Sequence, residues 1–362
     1  MSNHLKALHI LDDLSEKNFS IILLIKNLKN FTIKNFNSEF KILVKKTKKN
    51  LFFKKSDIYL LKEKFTLNKI FFLFTKIKSN NIIHIHGLWN LINILSIIIS
   101  INLKKKLIIH PHGMLLEQAL NSSAPLKKKI KKIILFFLKF VLNKNCFFIA
   151  ITSDEKKSIY QIFGNVKIIK IPNITEVKKI NQNIKLEKNF VYFGRINKIK
   201  NIDLIIDIFL RSDLHDSFKL ILYVINDDEN LKKELKLKAK NSKKIIFKEA
   251  VYGREKDRIL QKSWVNVLLS KSEVMSYSVL EAASLQLPSI VTKNISLKNF
   301  EKNGGVVAKE QVEDIINKFR IVSQWTIKER LRRGTKIRRF IINQFSKDIV
   351  FKKYAYFYGK II

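Results

Sequence analysis

The sequence predicts two α/β domains, each a parallel sheet covered by helices, with their carboxyl-end loops facing across a cleft. Three observations carry this. Short apolar strand-like runs alternate with helix-like stretches. The alternation breaks at a polar stretch over 175–188 and then restarts in the same layout. Glycine and proline are scarce, nine and four in 362 residues. Yet Gly87, Pro111, Gly113, Pro172, Gly194 and Pro288 all fall where a strand meets a loop or a helix ends. In such a background a retained Gly or Pro has a backbone reason to be there.

In the first half, residues 7–11 read as a strand, 19–28 as a helix and 40–44 as a second strand. Residues 67–77 are helical, and 82–86 form a strand ending in His86-Gly87-Leu88-Trp89. A helix over 90–101 precedes a strand at 107–110 that ends in Pro111-His112-Gly113. A basic-apolar helix follows over 126–142, then strand 147–151, helix 154–163 and strand 167–171. After the linker, strand 189–193 leads through Gly194-Arg195 into helix 202–210. Strands follow at 218–225, 245–247, 265–269 and 289–291, separated by helices over 231–240, 254–262 and the stretch ending near Pro288. From 312 to 358 the pattern is mostly helical. The implied division is 1–176, 177–340 and a final helix over 341–362.

A hydrophobic fraction of 46% excludes wholesale disorder. The single cysteine, Cys146, leaves no disulfide framework within one chain. No secretory leader is apparent, and the longest apolar runs fall short of the ~20 residues that span a bilayer. The expectation is a cytoplasmic protein. The formal charge of +40 invites a polyanion-binding reading. Only ten of the 70 basic residues are arginine, the lysines are spread widely, and no RNA-binding or helix-turn-helix signature is present. A nucleic-acid partner is therefore not expected.

Two carboxylates eight residues apart, Glu273 and Glu281, follow the strand at 265–269. The first falls in a loop at the strand's carboxyl end and the second near the start of a helix, where open α/β sheets bind ligands. Helix-start amides hold phosphate and carboxylates accept from sugar hydroxyls, which together suit a nucleotide sugar. Ser278-Val279-Leu280-Glu281 also fits a capping box. Arg195 and Lys200 bracket another strand-to-helix loop and suit a diphosphate clamp, Arg195 being the more specific because arginine is rare here.

Four of the seven histidines lie between 84 and 112. Period-2 alternation puts His84 with His86 on one face, and likewise His110 with His112, with no cysteine partner. No metal is expected. His112, between Pro111 and Gly113, is the best placed to meet a ligand, and His84 and His110 are expected to pack within strands.

These segments, in order, resemble the retaining glycosyltransferases of family 4, with a two-domain GT-B fold. The matching residues are His86-Gly87-Leu88-Trp89, Pro111-His112-Gly113-Met114-Leu115, Thr152-Ser153-Asp154-Glu155, Ile171-Pro172-Asn173, Gly194-Arg195 with Lys200, Val251-Tyr252-Gly253 with Lys256, and Ser272-Glu273 through Glu281-Ala282-Ala283 with Pro288. The resemblance implies that Arg195 and Lys200 neutralise a departing diphosphate. It implies that Glu281 accepts from the ribose, and that Glu273 and His112 contact the transferred sugar. His86, Gly87, Gly113, Gly194, Ser276, Tyr277 and Ser278 are implied to line the substrate. It further implies a UDP- or GDP-sugar donor, a saccharide or lipid-linked acceptor, retention without a metal, a return of the final helix to the first domain, domain closure, and a place in lipopolysaccharide, O-antigen or capsule synthesis.

Three departures stand out. The first loop reads Asp12 to Asn18 without the usual glycine pair, Met275-Ser276 stands where many relatives have Phe-Gly, and Asn201 replaces a glycine after Lys200. They leave a degenerate sugar-nucleotide binder as an alternative. A basic membrane- or nucleic-acid-binding protein is the alternative from another class. The helix over 127–144, with Lys127, Lys128, Lys129, Lys131 and Lys132 before an apolar run, suits the surface of an anionic membrane.

Overall fold

The computed structural model describes residues 5–15, 18–36, 38–47, 52–61, 66–121, 124–142, 145–214, 217–295 and 297–361. The chain forms two compact units, one of Met1–Asn173 with Val350–Ile362 and one of Ile174–Ile349.

The strands of unit 1 are β1 (Lys6–Leu14), β2 (Glu39–Thr47), β3 (Ile58–Leu60), β4 (Ile82–His86), β5 (Lys106–His110), β6 (Cys146–Ala150) and β7 (Lys167–Lys170). Its helices are α1 (Phe19–Phe36), α2 (Leu67–Lys78), α3 (Leu91–Asn102), α4 (Glu117–Asn121), α5 (Pro125–Val141) and α6 (Ser153–Phe163). The sheet order is β3-β2-β1-β4-β5-β6-β7, with every neighbour parallel. The strand order reverses between β1 and β4, a switch point of the kind where open α/β sheets bind ligands. One sheet face is apolar. Leu8, Ile10, Ile83, Ile85, Leu107 and Ile109 pack there against Leu73, Ile77 and Ile97 of the covering helices. On the other face, register pairs His9 with His84 and His86 with His110.

Unit 2 has strands β8 (Asn189–Arg195), β9 (Lys219–Ile225), β10 (Ile245–Glu249), β11 (Val265–Leu268), β12 (Ser289–Thr292) and β13 (Val306–Ala308). Its helices are α7 (Ile202–Arg211), α8 (Glu229–Lys238), α9 (Gly253–Lys262), α10 (Tyr277–Ser284), α11 (Val312–Ser323) and α12 (Ile327–Phe345). The order β10-β9-β8-β11-β12-β13 is again all parallel, with its switch point between β8 and β11. Those are the strands that deliver Arg195 and the glutamate loop. Behind them, the buried Arg330 of α12 donates to the carbonyls of Ser263, Trp264 and Gln286 at 2.6–2.9 Å. Burial alone pushes this guanidinium down to about 9.

The final helix, α13 (Lys347–Ile361), enters unit 1 from Val350 onward. Its Phe351 stacks on Phe31 at 4.6 Å and its Phe357 meets Phe147 edge-on at 5.7 Å.

The structure departs from the sequence reading in several elements. The strand expected over 7–11 runs to Leu14, so Asp12 and Asp13 lie in β1 rather than in a loop, with Asp13 paired to Lys46. The helix expected over 19–28 continues to Phe36 because Phe31 and Thr32 are buried, which holds a stretch of modest propensity helical. Strands β3 and β13 are three residues each and too short to give a periodic signal. Of the loop without glycine, Glu16 and Lys17 lie outside the described residues, as do Asn143 and Lys144 of the basic helix.

Candidate active site

In unit 2, β8 ends in Gly194-Arg195, and a 3-10 turn over Lys198–Lys200 leads to Asn201 in the left-handed conformation (φ 56°, ψ 42°). Asparagine, with its short polar side chain, tolerates this backbone. The turn aims Lys200 at Glu273, and the two form an ion pair with side chains only 18% and 12% exposed. Ser270 adds a hydroxyl bond to the same Glu273 oxygen at 3.3 Å. Lys200 is thus not an ordinary surface lysine. Arg195 lies 3.6 Å from Asp227, whereas Glu281 pairs with Lys256 of α9 at 2.5 Å. Within this unit, then, both glutamates and both predicted cations sit around the carboxyl ends of β8 and β11.

The capping box is not formed. Tyr277 is already helical and the N-cap is Ser276, whose hydroxyl meets that of Ser278 at 2.9 Å instead of capping an amide. Glu281 turns to Lys256 instead. Helix α10 therefore starts without a side-chain cap, which keeps its first amides open to an anion. Burial, then the nearby Glu281 charge, pushes the Tyr277 phenol well above its ordinary range. Gly194 is required by space: a Cβ there would lie 2.5 Å from the Tyr192 hydroxyl, which itself donates to the Arg195 carbonyl at 2.9 Å.

In unit 1, Gly87 (φ 83°) turns the chain after β4 and donates to the His110 carbonyl at 2.9 Å. The buried Asn93 of α3 donates to the carbonyls of His86 and Gly87, both at 2.9 Å. After β5, His112 (φ 53°) and Gly113 (φ 83°) form a tight turn closed by Met114 N–H to the Pro111 carbonyl at 3.2 Å. The buried Glu155 at the start of α6 clamps this turn, accepting from Gly113 at 2.5 Å and Ile151 at 2.7 Å. Desolvation outweighs those two bonds and pushes the Glu155 carboxyl up to about 7.

Five histidines gather into one body. The Nδ1 of His9 lies 3.0 Å from Nε2 of His86, and Nδ1 of His86 lies 3.0 Å from Nε2 of His112. His84 stacks on His86 at 4.3 Å, and His110 on His112 at 3.8 Å. Burial holds His9 and His112 down to about 3, and His84, His86 and His110 well below their ordinary value, so the cluster is neutral. Nitrogens of His9, His84 and His86, and of His86, His110 and His112, lie within 4.8 Å of one another, the spacing of a metal-binding set. The stacked pairs oppose that use. Imidazole lone pairs lie in the ring plane, and planes 18° apart, one above the other, do not converge on one ion.

Sequence reasoning missed His9, Asn93, Tyr192 and Asp227, and gave Glu155 and Lys256 no role. His9 is the pattern's own extension, because β1 was predicted, yet only the β1–β4 register brings it beside His84. Lys256 and Glu155 stood within matched motifs, which was the available signal.

Comparison with known proteins agrees with this architecture. Residues 173–339 match the family model described as glycosyl transferases group 1. No curated protein matches the chain. Among solved structures, Anabaena Alr3699/HepE in complex with UDP and glucose is 13% identical, with a TM-score of 0.76 over 99% of this chain and 100% of that one. Sucrose-phosphate synthase of Thermosynechococcus elongatus is 13% identical, with a TM-score of 0.74 over 99% of both chains. A glycosyltransferase of Rickettsia africae is 14% identical, with a TM-score of 0.72 over 99% of both. The fold is that of the GT-B enzymes, two Rossmann-like α/β units. The family match and the fold together support a glycosyltransferase.

Proposed function

We propose that this protein is a retaining glycosyltransferase. It moves a hexose from a nucleotide-sugar donor to a saccharide or lipid-linked acceptor in the synthesis of a surface polysaccharide such as lipopolysaccharide, O-antigen or capsule. One observation carries the reading: Glu273 and Glu281, each held by a half-buried lysine, stand with Arg195 at the β8–β11 switch point. A UDP-sugar donor is favoured because HepE is described in complex with UDP-glucose; a GDP-sugar is the other candidate.

Unit 2 would hold the donor. The diphosphate would lie against the uncapped start of α10 and between Arg195 and Lys200, with the ribose on Glu281. Glu273 and His112 would meet the transferred sugar. The bond from the sugar C1 to the diphosphate oxygen breaks as the bond from C1 to the acceptor oxygen forms on the same face. The acceptor proton passes to the leaving diphosphate, whose charge Arg195 and Lys200 neutralise. In this proposal no step uses a metal.

The test is a binding and hydrolysis screen of the full chain against UDP-, GDP-, ADP- and CMP-sugars, with Glu281→Ala as control. One donor engaged and lost in the variant is the expected result. A folded protein that engages none would instead be a degenerate relative.

A second property concerns α5. Leu126, Ile133, Phe136 and Phe140 are 68–70% exposed, beside Lys127, Lys128, Lys129 and Lys132 on the same helix. Among the described residues no helix is long and apolar enough to cross a membrane. An exposed apolar stripe flanked by lysines suits the interface of an anionic membrane, which here would be the cytoplasmic face, where a lipid-linked acceptor is found. Flotation with anionic vesicles is expected to retain the protein at low salt, and Phe136→Glu/Phe140→Glu to release it. No binding by the unaltered protein would exclude this property.

A further inference from the structure

We infer that His9, His86 and His112 form a hydrogen-bonded relay that fixes His112 as its Nδ1–H tautomer, so that it presents a neutral donor, and not a base, to an oxygen of the bound sugar. The sugar as recipient rests on the proposed glycosyl transfer; the relay does not.

The five rings lie in two layers. His9, His86 and His112 make a nearly flat ribbon, with neighbouring planes 20–21° apart and the two 3.0 Å nitrogen contacts in series. His84 and His110 make the second layer, their planes 18° apart, and stack on His86 and His112. The register of β1, β4 and β5 builds this arrangement, and the positive-φ turn at His112 adds the last ring.

A neutral imidazole has one N–H and one bare nitrogen. Three in series therefore have two arrangements. In the first, all protons sit on Nδ1: His9 donates to His86, His86 donates to His112, and Nδ1–H of His112 remains free to donate. In the second, all protons sit on Nε2, and the free nitrogen of His112 is an acceptor.

The inner end decides between them. His9 is fully buried and its Nε2 has no partner. The first arrangement leaves a bare lone pair there, and the second leaves a buried N–H without an acceptor. Orphaned buried N–H groups are the rarer and costlier of the two. Because that end is sealed, no proton enters or leaves through His9, so the relay orients His112 and does not shuttle protons. His112 is the only partly exposed ring of the five. His9 and His86 are accordingly positioning residues.

The experiment is nitrogen-15 NMR of the full chain labelled at histidine, read near neutral pH without ligand. The expected spectrum gives His9, His86 and His112 a protonated Nδ1 and a bare Nε2, the reverse of the usual solution preference. In His86→Phe, His112 is expected to return toward Nε2–H while the other folded signals persist. A His112 proton on Nε2 in the unaltered protein overturns the relay, as does protonation of both nitrogens. Stoichiometric shifts of all five rings on adding zinc would also overturn it, in favour of a metal centre. The donor screen reads glycosyl transfer separately, so the two readings fail independently.

Discussion

The Glu281 carboxylate is held by the Lys256 ammonium at 2.5 Å, with side chains 20% and 17% exposed, so two motifs 25 residues apart meet as one ion pair. A ribose that bonds to Glu281 would do so on a carboxylate already oriented by α9. Glu281→Ala is expected to weaken nucleotide-sugar binding by about 10- to 100-fold, the loss of one charge-assisted hydrogen bond. Lys256→Met is expected to weaken it less, since the carboxylate remains but loses its orientation. Calorimetric titration of both variants measures the difference.

Lys200 and Glu273 answer differently. If Lys200 neutralises a leaving diphosphate, Lys200→Ala lowers kcat by about 10²- to 10³-fold, as expected on removing a group that stabilises transition-state charge. It also leaves Glu273, only 12% exposed, without its cation. Lys200→Ala/Glu273→Gln is therefore expected to recover stability but not turnover, which thermal unfolding and rates together resolve.

Gly194→Ala tests close packing beside the site. The added methyl would meet the hydroxyl of the buried Tyr192 at 2.5 Å and its ring at 2.9 Å. Overpacking of this kind costs about 1–3 kcal/mol. Because Tyr192 holds the Arg195 carbonyl, the variant is expected to lose turnover along with stability. Gly194→Ala/Tyr192→Phe is expected to recover only part of either, because the ring remains.

The histidine body makes folding acid-sensitive. An unfolded histidine takes its proton near ~6.5, whereas burial holds His9 and His112 down to about 3. Between those values the unfolded chain binds more protons, so stability rises with pH. The stabilisation is complete above the unfolded value and is lost as pH falls toward the folded one. Acid unfolding is expected inside that window with uptake of more than one proton. His84→Leu removes a ring with no hydrogen-bond partner at either nitrogen and is expected to lower the acid midpoint.

Arg330 serves the site from behind. Replacing it by Met leaves the Ser263, Trp264 and Gln286 carbonyls without their donor, at a cost of about 3 kcal/mol or more. Chemical denaturation measures that loss directly.

How much of this was legible follows from which interactions are local. The alternation of strands and helices is written in short-range periodicity, and the scarce glycines and prolines mark the strand ends. Asn201 could be read as a left-handed position, and its φ of 56° bears that out. The capping box at Ser278 was equally plausible by spacing. It failed because helix α10 begins at Tyr277 and the distant Lys256 captures Glu281. The same limit hid His9: it sits 75 residues before His84, and only parallel pairing of β1 with β4 makes them neighbours. Glu155 stood in a matched motif without a role, because its hold on Gly113, 42 residues away, is a tertiary fact.

The return of Val350–Ile362 to the first unit has a consequence for biosynthesis. On the ribosome the second unit is complete before the first, which lacks this helix until residues 350–361 emerge. Until then Phe31 and Phe147 lack their partners Phe351 and Phe357. A nascent chain stalled short of Val350 would thus carry one finished unit and one open sheet, the kind of intermediate that chaperones hold.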